Sequence, residues 1–226
     1  MPTPTPTPTA ILYVLSSPGP TVSPSEFNSW YDDEHAPRRT AIPGILSGVR
    51  YVSADQQTPQ WLAIYGLEDA DILNTPAYTD LWPTASDREK AILPRLETLE
   101  RRVYEVISER VGEGYEAEAV GWVVAVSLEP GPELGEEEFN RWYEEEHVPM
   151  VAGCPGFLRV VRYRLKEAKG ENVARYLAVY EVRGREFMAS EEFRKVMGTE
   201  WRMEIVKKVK KESEELRLFT VHKIFK

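Results

Sequence analysis

The sequence predicts a mixed α+β protein made of two copies of one βαββαβ unit. Three observations lead there: a motif that occurs twice, apolar runs and capped helical stretches alternating in a fixed order, and enough apolar content to fill a core. Glu26-Phe27-Asn28-x-Trp30-Tyr31-x-x-Glu34-His35-x-Pro37 returns as Glu138-Phe139-Asn140-x-Trp142-Tyr143-x-x-Glu146-His147-x-Pro149, with Phe139 lying 112 residues beyond Phe27. The tail Pro43-Gly44-x-Leu46-x-x-Val49-Arg50-Tyr51 returns as Pro155-Gly156-x-Leu158-x-x-Val161-Arg162-Tyr163, and residues 26–51 and 138–163 share 14 of 26 positions. Self-similarity at this spacing marks an internal duplication. Trp61–Tyr65 then matches Tyr176–Tyr180, and Val103–Ile107 matches Leu218–His222, at a spacing of 115. The surplus falls where 54–60 faces 166–175, a polar stretch with Pro59 or Gly170, which reads as a loop that tolerates length changes.

Each unit opens on a β-branched and aromatic run, Ala10–Leu15 or Trp122–Leu128, ended by Pro and Gly residues, and both read as strands. A helix follows. In the first copy Ser23-Pro24-Ser25-Glu26 signals its start, and Pro37 predicts its end at Ala36. In the second copy the acidic run Glu136–Glu138 suits a helix N-terminus. Leu46–Ser53 and Phe157–Leu165 read as second strands, Trp61–Leu67 and Tyr176–Val182 as third strands. A longer helical region is expected over 72–99, interrupted by Pro83 and Pro94, and over 186–215. Val103–Ser108 and Leu218–Phe225 close the units as fourth strands. The order βαββαβ is the ferredoxin-like motif. Its open sheet carries helices on one face only, so the second copy is the obvious cover for the other. The expected organisation is a disordered Thr-Pro tail over 1–9, one repeat over 10–120 and a second over 121–226.

Two units of about 110 residues are ordinary domains, and 42% hydrophobic content suffices for a core. The net charge of −9 argues against a nucleic-acid partner, which demands a basic face. No apolar run approaches a membrane span and no signal-type segment is present, so the expectation is a soluble, cytoplasmic protein. The lone Cys154 agrees with a reducing compartment. No Gly-rich phosphate loop, C-x-x-C pair, H-E-x-x-H or G-x-S-x-G occurs, so no metal and no cofactor is expected.

On a helix turning about 100° per residue, Trp30, Tyr31 and Glu34 fall within about 60° of Phe27, with His35 at the margin. The second copy places Trp142, Tyr143, Glu146 and His147 likewise. A carboxylate on an apolar stripe is costly unless paired, and burial would tune it toward acid–base use. The alternative is structural: Glu34 capping a loop or pairing with Arg50, and His35 tying down the turn before Pro43. Tyr51 and Tyr163 alternate with Arg50 and Arg162, so one of each pair faces the helices; which one is open. His222, where the first copy has Ile107, breaks the symmetry and favours the second half, with His147, as the working pocket.

These residues resemble the EthD-like branch of the dimeric α/β-barrel superfamily, whose members carry an F-x-x-W-Y-x-x-E-H-x-P helix followed by a P-G strand ending in R-Y. The resemblance covers about 10–226, once per half. It implies that the halves pack sheet to sheet into an intramolecular, pseudo-dimeric barrel, with a histidine and a tyrosine beside the cavity. The expected function is a cofactor-independent cyclase, isomerase, dehydratase or decarboxylase acting on a small, mainly apolar, polyketide-like or aromatic substrate. His147 with Tyr163 and Glu146, and His35 with Tyr51 and Glu34, would be the catalytic groups. His222, Trp142, Tyr143, Trp30, Tyr31, Arg162 and Arg50 would contact substrate. The alternatives are a non-catalytic binding or assembly module, and an oxidative barrel that uses oxygen alone or haem bound through a histidine. Partners beyond the small molecule are not expected: a monomer, with higher oligomers left open.

Overall fold

In the computed structural model, which describes residues 7–169 and 172–225, the first copy runs β1 (Ala10–Ser17), α1 (Pro24–Trp30), α2 (Ala36–Thr40), β2 (Ile45–Ser53), β3 (Trp61–Leu67), α3 (Pro76–Thr79), α4 (Asp87–Ile92) and β4 (Thr98–Val111). The second runs β5 (Trp122–Leu128), α5 (Glu136–Trp142), α6 (Val148–Ala152), β6 (Phe157–Ala168), β7 (Tyr176–Val182), α7 (Glu191–Met197), α8 (Glu200–Lys207) and β8 (Glu215–Phe225). The strands follow one another in the order β1-β3-β2-β8-β5-β7-β6-β4 and close into an antiparallel barrel. Within each copy the order is the same, β4-β1-β3-β2 and β8-β5-β7-β6. All eight residues of β1 are buried, as its sequence of unbroken apolar and small residues requires. In register, Tyr13 faces Ile64 of β3 and Arg102 of β4, while Ala125 faces Val179 of β7 and Arg217 of β8.

The chain divides into two compact units, 1–106 with 166–170 and 221–226, and 107–165 with 171–220. Each has its own aromatic core. Phe27, Trp30, Tyr31, Trp61 and Tyr65 fill the first, and Phe139, Trp142, Tyr143, Tyr176 and Tyr180 the second. Residues 1–6 of the Thr-Pro tail lie outside the described residues. Thr9 is hydrogen-bonded to Leu67 O at 2.9 Å through its N–H and to Glu68 O at 2.6 Å through its hydroxyl, so at this residue the tail is tied to the sheet.

The first helix does not end at Ala36. Ser23 caps it through the N–H of Glu26, as expected, but the chain continues through a π-helical turn, Tyr31–His35, into α2 with Pro37 inside it. The N–H of Ala36 bonds Tyr31 O, five residues back. The wider turn moves the carbonyls that a proline ring would otherwise meet, and it lets the helix pass a residue that breaks ordinary α geometry. The second copy repeats this with Tyr143–His147, where Val148 bonds Tyr143 O. The region expected as a longer helix breaks into short pieces around Pro76, Pro83 and Pro94, and the fourth strands start earlier, at Thr98 and Glu215.

The repeated Pro-Gly has a backbone cause. Gly44 and Gly156 have φ of 91° and 83°, a region that costs an L residue about 1–2 kcal/mol. A Cβ on Gly44 would also overlap Ile72 Cδ1, whereas on Gly156 its nearest neighbour is Arg183 Cβ at 3.9 Å. Gly44→Ala is therefore expected to lower stability by about 2 kcal/mol or more, and Gly156→Ala by about 1 kcal/mol. Equal urea midpoints for the two variants would contradict this account.

Candidate active site

The π turn places Tyr31 and His35 on the sheet-facing side of the helix, and both are buried. The His35 ring lies 4.4 Å from that of Trp30 and 4.7 Å from that of Tyr31. Its Nδ1 is 3.1 Å from Oε1 of Glu89, the third residue of α4, itself only 1% exposed. Ser86 builds that position by capping α4 through the N–H of Glu89 at 3.0 Å. Arg38 and Arg39 stand 3.7 Å and 3.8 Å from the Glu89 carboxylate. Burial pushes the Glu89 carboxyl up, but the hydrogen bond from His35 and the two guanidiniums hold it below the usual range. Burial, then Arg39, lowers the pKa of His35 to about 3 against the pull of Glu89. The pair is thus neutral imidazole and carboxylate. An ionised carboxylate only accepts, so Nδ1–H donates and Nε2 keeps its lone pair.

Tyr31, His35, Arg39 and Glu89 wall a cavity of about 420 Å³, within the range of small-molecule sites. Tyr65 and Tyr31, whose hydroxyls are 3.4 Å apart, line it with Arg39, Arg101, Lys169 and the half-exposed Trp82 at the rim. Burial raises the pKa of both tyrosines, so they are hydroxyl donors rather than phenolates.

The structure separates the predicted site residues. Tyr31 and His35 come together at the cavity, with Trp30 packed against the His35 ring. Arg50 is buried under aromatic rings, 4.2 Å from the centre of Tyr31 and 4.4 Å from that of Trp61, and is bonded to Asp32 and to Asn28. Arg162 repeats this over Tyr143 at 4.0 Å, with Glu144 and Asn140 at 2.6 Å. Both arginines tie a strand to a helix, and neither lines the cavity beside His35 or the pocket beside His147. Since neighbours on a strand alternate, Tyr51 and Tyr163 lie on the opposite face from the helices and are not brought to His35 or His147. Glu34 accepts from the Ser86 hydroxyl; Glu146 accepts from Trp142 Nε1 at 3.2 Å and from the Thr199 hydroxyl at 2.7 Å. Each glutamate therefore bonds the cap of a later helix, not a neighbouring histidine.

His222 is not a companion of His147. Its Nε2 is 3.1 Å from Asp32 and its ring is edge-on to Trp61 at 4.9 Å, both first-copy residues. The asymmetry that favoured the second half thus belongs to the first. In the second half His147 packs 4.6 Å from Trp142 and 5.4 Å from Tyr143, beside a pocket of about 160 Å³. Where α4 carries Glu89 three residues after its cap, α8 carries Arg202 three residues after Thr199. Sequence reasoning missed Glu89, Arg39, Tyr65 and Arg202. The Ser86-x-x-Glu89 spacing of a capping box was a legible signal for Glu89. Ser86→Ala is expected to cost about 1 kcal/mol through the lost cap; unchanged thermal stability would show that the cap contributes nothing here. Among the described residues no cluster of His, Cys, Asp and Glu is placed to hold a metal ion, and no helix is long and apolar enough to cross a membrane.

Residues 131–198, which include the second π turn, match the EthD domain. No curated protein matches the chain. Among solved structures, an anthrone oxidase-like protein superposes with a TM-score of 0.65 at 11% identity, covering 96% of this chain and 92% of that one. A protein provisionally named a monooxygenase, from Fusobacterium nucleatum subsp. nucleatum, gives 0.61 at 13% identity over 96% and 94%. A provisionally named chlorite dismutase gives 0.55 at 16% identity over 95% of each chain. These names are oxidative, and they overturn the expectation of a cofactor-free cyclase, isomerase, dehydratase or decarboxylase. The second copy thus matches the EthD domain, and the chain, with two copies of its unit, has the fold of the dimeric α/β barrels.

Proposed function

We propose that this protein is an oxygen-dependent oxidase or monooxygenase of a small, mainly apolar, planar substrate, with its working pocket in the first half. The observation that carries this reading is the buried His35–Glu89 pair on the wall of a cavity lined by tyrosines and cations. The oxidative names of the fold neighbours support the reaction class.

Haem fits poorly here. His35 is 4% exposed, and the rings of Trp30 and Tyr31 pack against it. His147 adjoins a pocket of about 160 Å³, too small for a tetrapyrrole, and His222 is bonded to Asp32. No step is therefore routed through haem.

With the substrate in the cavity, His35 Nε2 takes a proton from an acidic C–H or O–H next to an aromatic ring. Glu89 stabilises the imidazolium, as a carboxylate orients and stabilises the histidine of a catalytic triad. The low pKa of His35 makes that imidazolium costly by itself; the substrate anion formed beside it offsets the cost. Arg39 stabilises the anion where charge develops. The electron-rich anion then reduces dioxygen and forms a C–O bond. For an activated methylene the sum is R₂CH₂ + O₂ → R₂C=O + H₂O, in which carbon loses four electrons and dioxygen gains four. No outside reductant is required. We further read the protein as cytoplasmic, in keeping with its single buried thiol.

An oxygen electrode tests the reading: purified protein with an anthrone, and with other hydroxylated tricyclic compounds, is expected to consume one dioxygen per substrate. Product formed as fast under nitrogen, or uptake no faster than without protein across the series, would overturn it.

A further inference from the structure

The second pocket is chemically unlike the first. Its walls are mainly apolar, with Phe187, Phe193, Met188 and Met197 among them, and its ionisable lining groups are Tyr143, His147, Tyr180, Arg202 and Glu214. His147 Nδ1 is buried and has no hydrogen-bond partner among the described residues. At the place where Glu89 supports His35, this half supplies Arg202. Burial, then Arg202 and Arg162, lowers the pKa of His147 to about 3, and no carboxylate offsets it. Arg202 donates to Met197 O at 3.0 Å. Burial also lowers the pKa of Arg202, and Glu214, which pulls it upward, does not make up the difference. The pocket thus holds a partly desolvated guanidinium beside a neutral imidazole, two donors that an anion in an apolar setting would satisfy.

We infer that the second pocket is a binding site for a small apolar carboxylate, whose oxygens meet Arg202 and His147 while its hydrocarbon part fills the space between the phenylalanines and methionines. The swap of Glu89 for Arg202 converts a proton-transfer position into an anion-binding one. This does not rest on the oxidative reading of the first pocket. A site of this kind gives one chain a reacting pocket and a non-reacting one, built on the same fold.

Benzoate is the probe, with benzyl alcohol as its uncharged counterpart, and the readout is the imidazole ¹⁵N signals of the full chain by NMR. Benzoate is expected to shift the His147 signals saturably, with affinity at least about tenfold above that of benzyl alcohol. Arg202→Met is expected to weaken benzoate by at least about tenfold; should it fold poorly, Arg202→Gln carries the same expectation. The assignment is overturned if His147 does not respond, if His35 responds in its place, if the alcohol binds equally well, or if removal of Arg202 leaves benzoate affinity unchanged.

Discussion

His35→Gln is expected to lower oxygen uptake about 100-fold or more, equivalent to about 2.7 kcal/mol in the barrier. The amide keeps a donor toward Glu89 and most of the side-chain volume, so the fold and the cavity should survive. It has no lone pair that can accept the substrate proton near neutral pH. Glu89→Gln separates orientation from charge: the hydrogen bond is retained, but the imidazolium loses its carboxylate. A smaller loss is expected, with the limb of the pH–rate profile assigned to His35 displaced. His147→Gln is the internal control and should leave the rate nearly unchanged, because Arg202 stands where a polarising carboxylate is needed. A His147 variant more damaging than the His35 variant, measured on folded protein, would return the working pocket to the second half.

Acidification should destabilise the protein well above the pH at which carboxylates titrate. His35 and His147 are both lowered from 6.5 to about 3 in the folded state. Between those values the unfolded chain binds a proton at each histidine and the folded chain does not. Stability is therefore present above about pH 6.5 and is lost as pH falls, at about 1.4 kcal/mol per pH unit for each histidine. From pH 6 to 4.5 the pair contributes a loss of roughly 4 kcal/mol. Glu89, held below its ordinary value, adds a loss of the same sign as pH falls below about 4.5. Urea midpoints across this window should fall steeply, His35→Gln or His147→Gln should halve the slope, and the double variant should nearly flatten it above pH 5. An unaltered slope in the double variant would show that the two imidazoles are not the groups responsible.

The duplication, the order of elements within each copy and the start of the first helix were all legible in the chain. They depend on local rules: period-two apolar runs, a Ser-Pro cap, and glycines at positive φ after Pro43 and Pro155. Alternation also told which residues share a strand face, but not which face meets the helices, because both faces of these strands are buried. Only the tertiary structure decided that Arg50 and Arg162 turn to the helices and Tyr51 and Tyr163 away, through Asp32, Asn28, Glu144 and Asn140. The π turn was hidden because Pro37 signals a stop wherever the helix is taken as regular, and its wider hydrogen bonding is set by packing around Tyr31 and His35. His35 and Glu89 are 54 residues apart, so no local pattern pairs them. For His222 the repeat was misleading: sequence order allots it to the second copy, while the end of β8 sets its ring against Trp61 and Asp32 of the first. Backbone geometry follows from neighbours in sequence, whereas the charge and protonation of a buried group follow from neighbours in space.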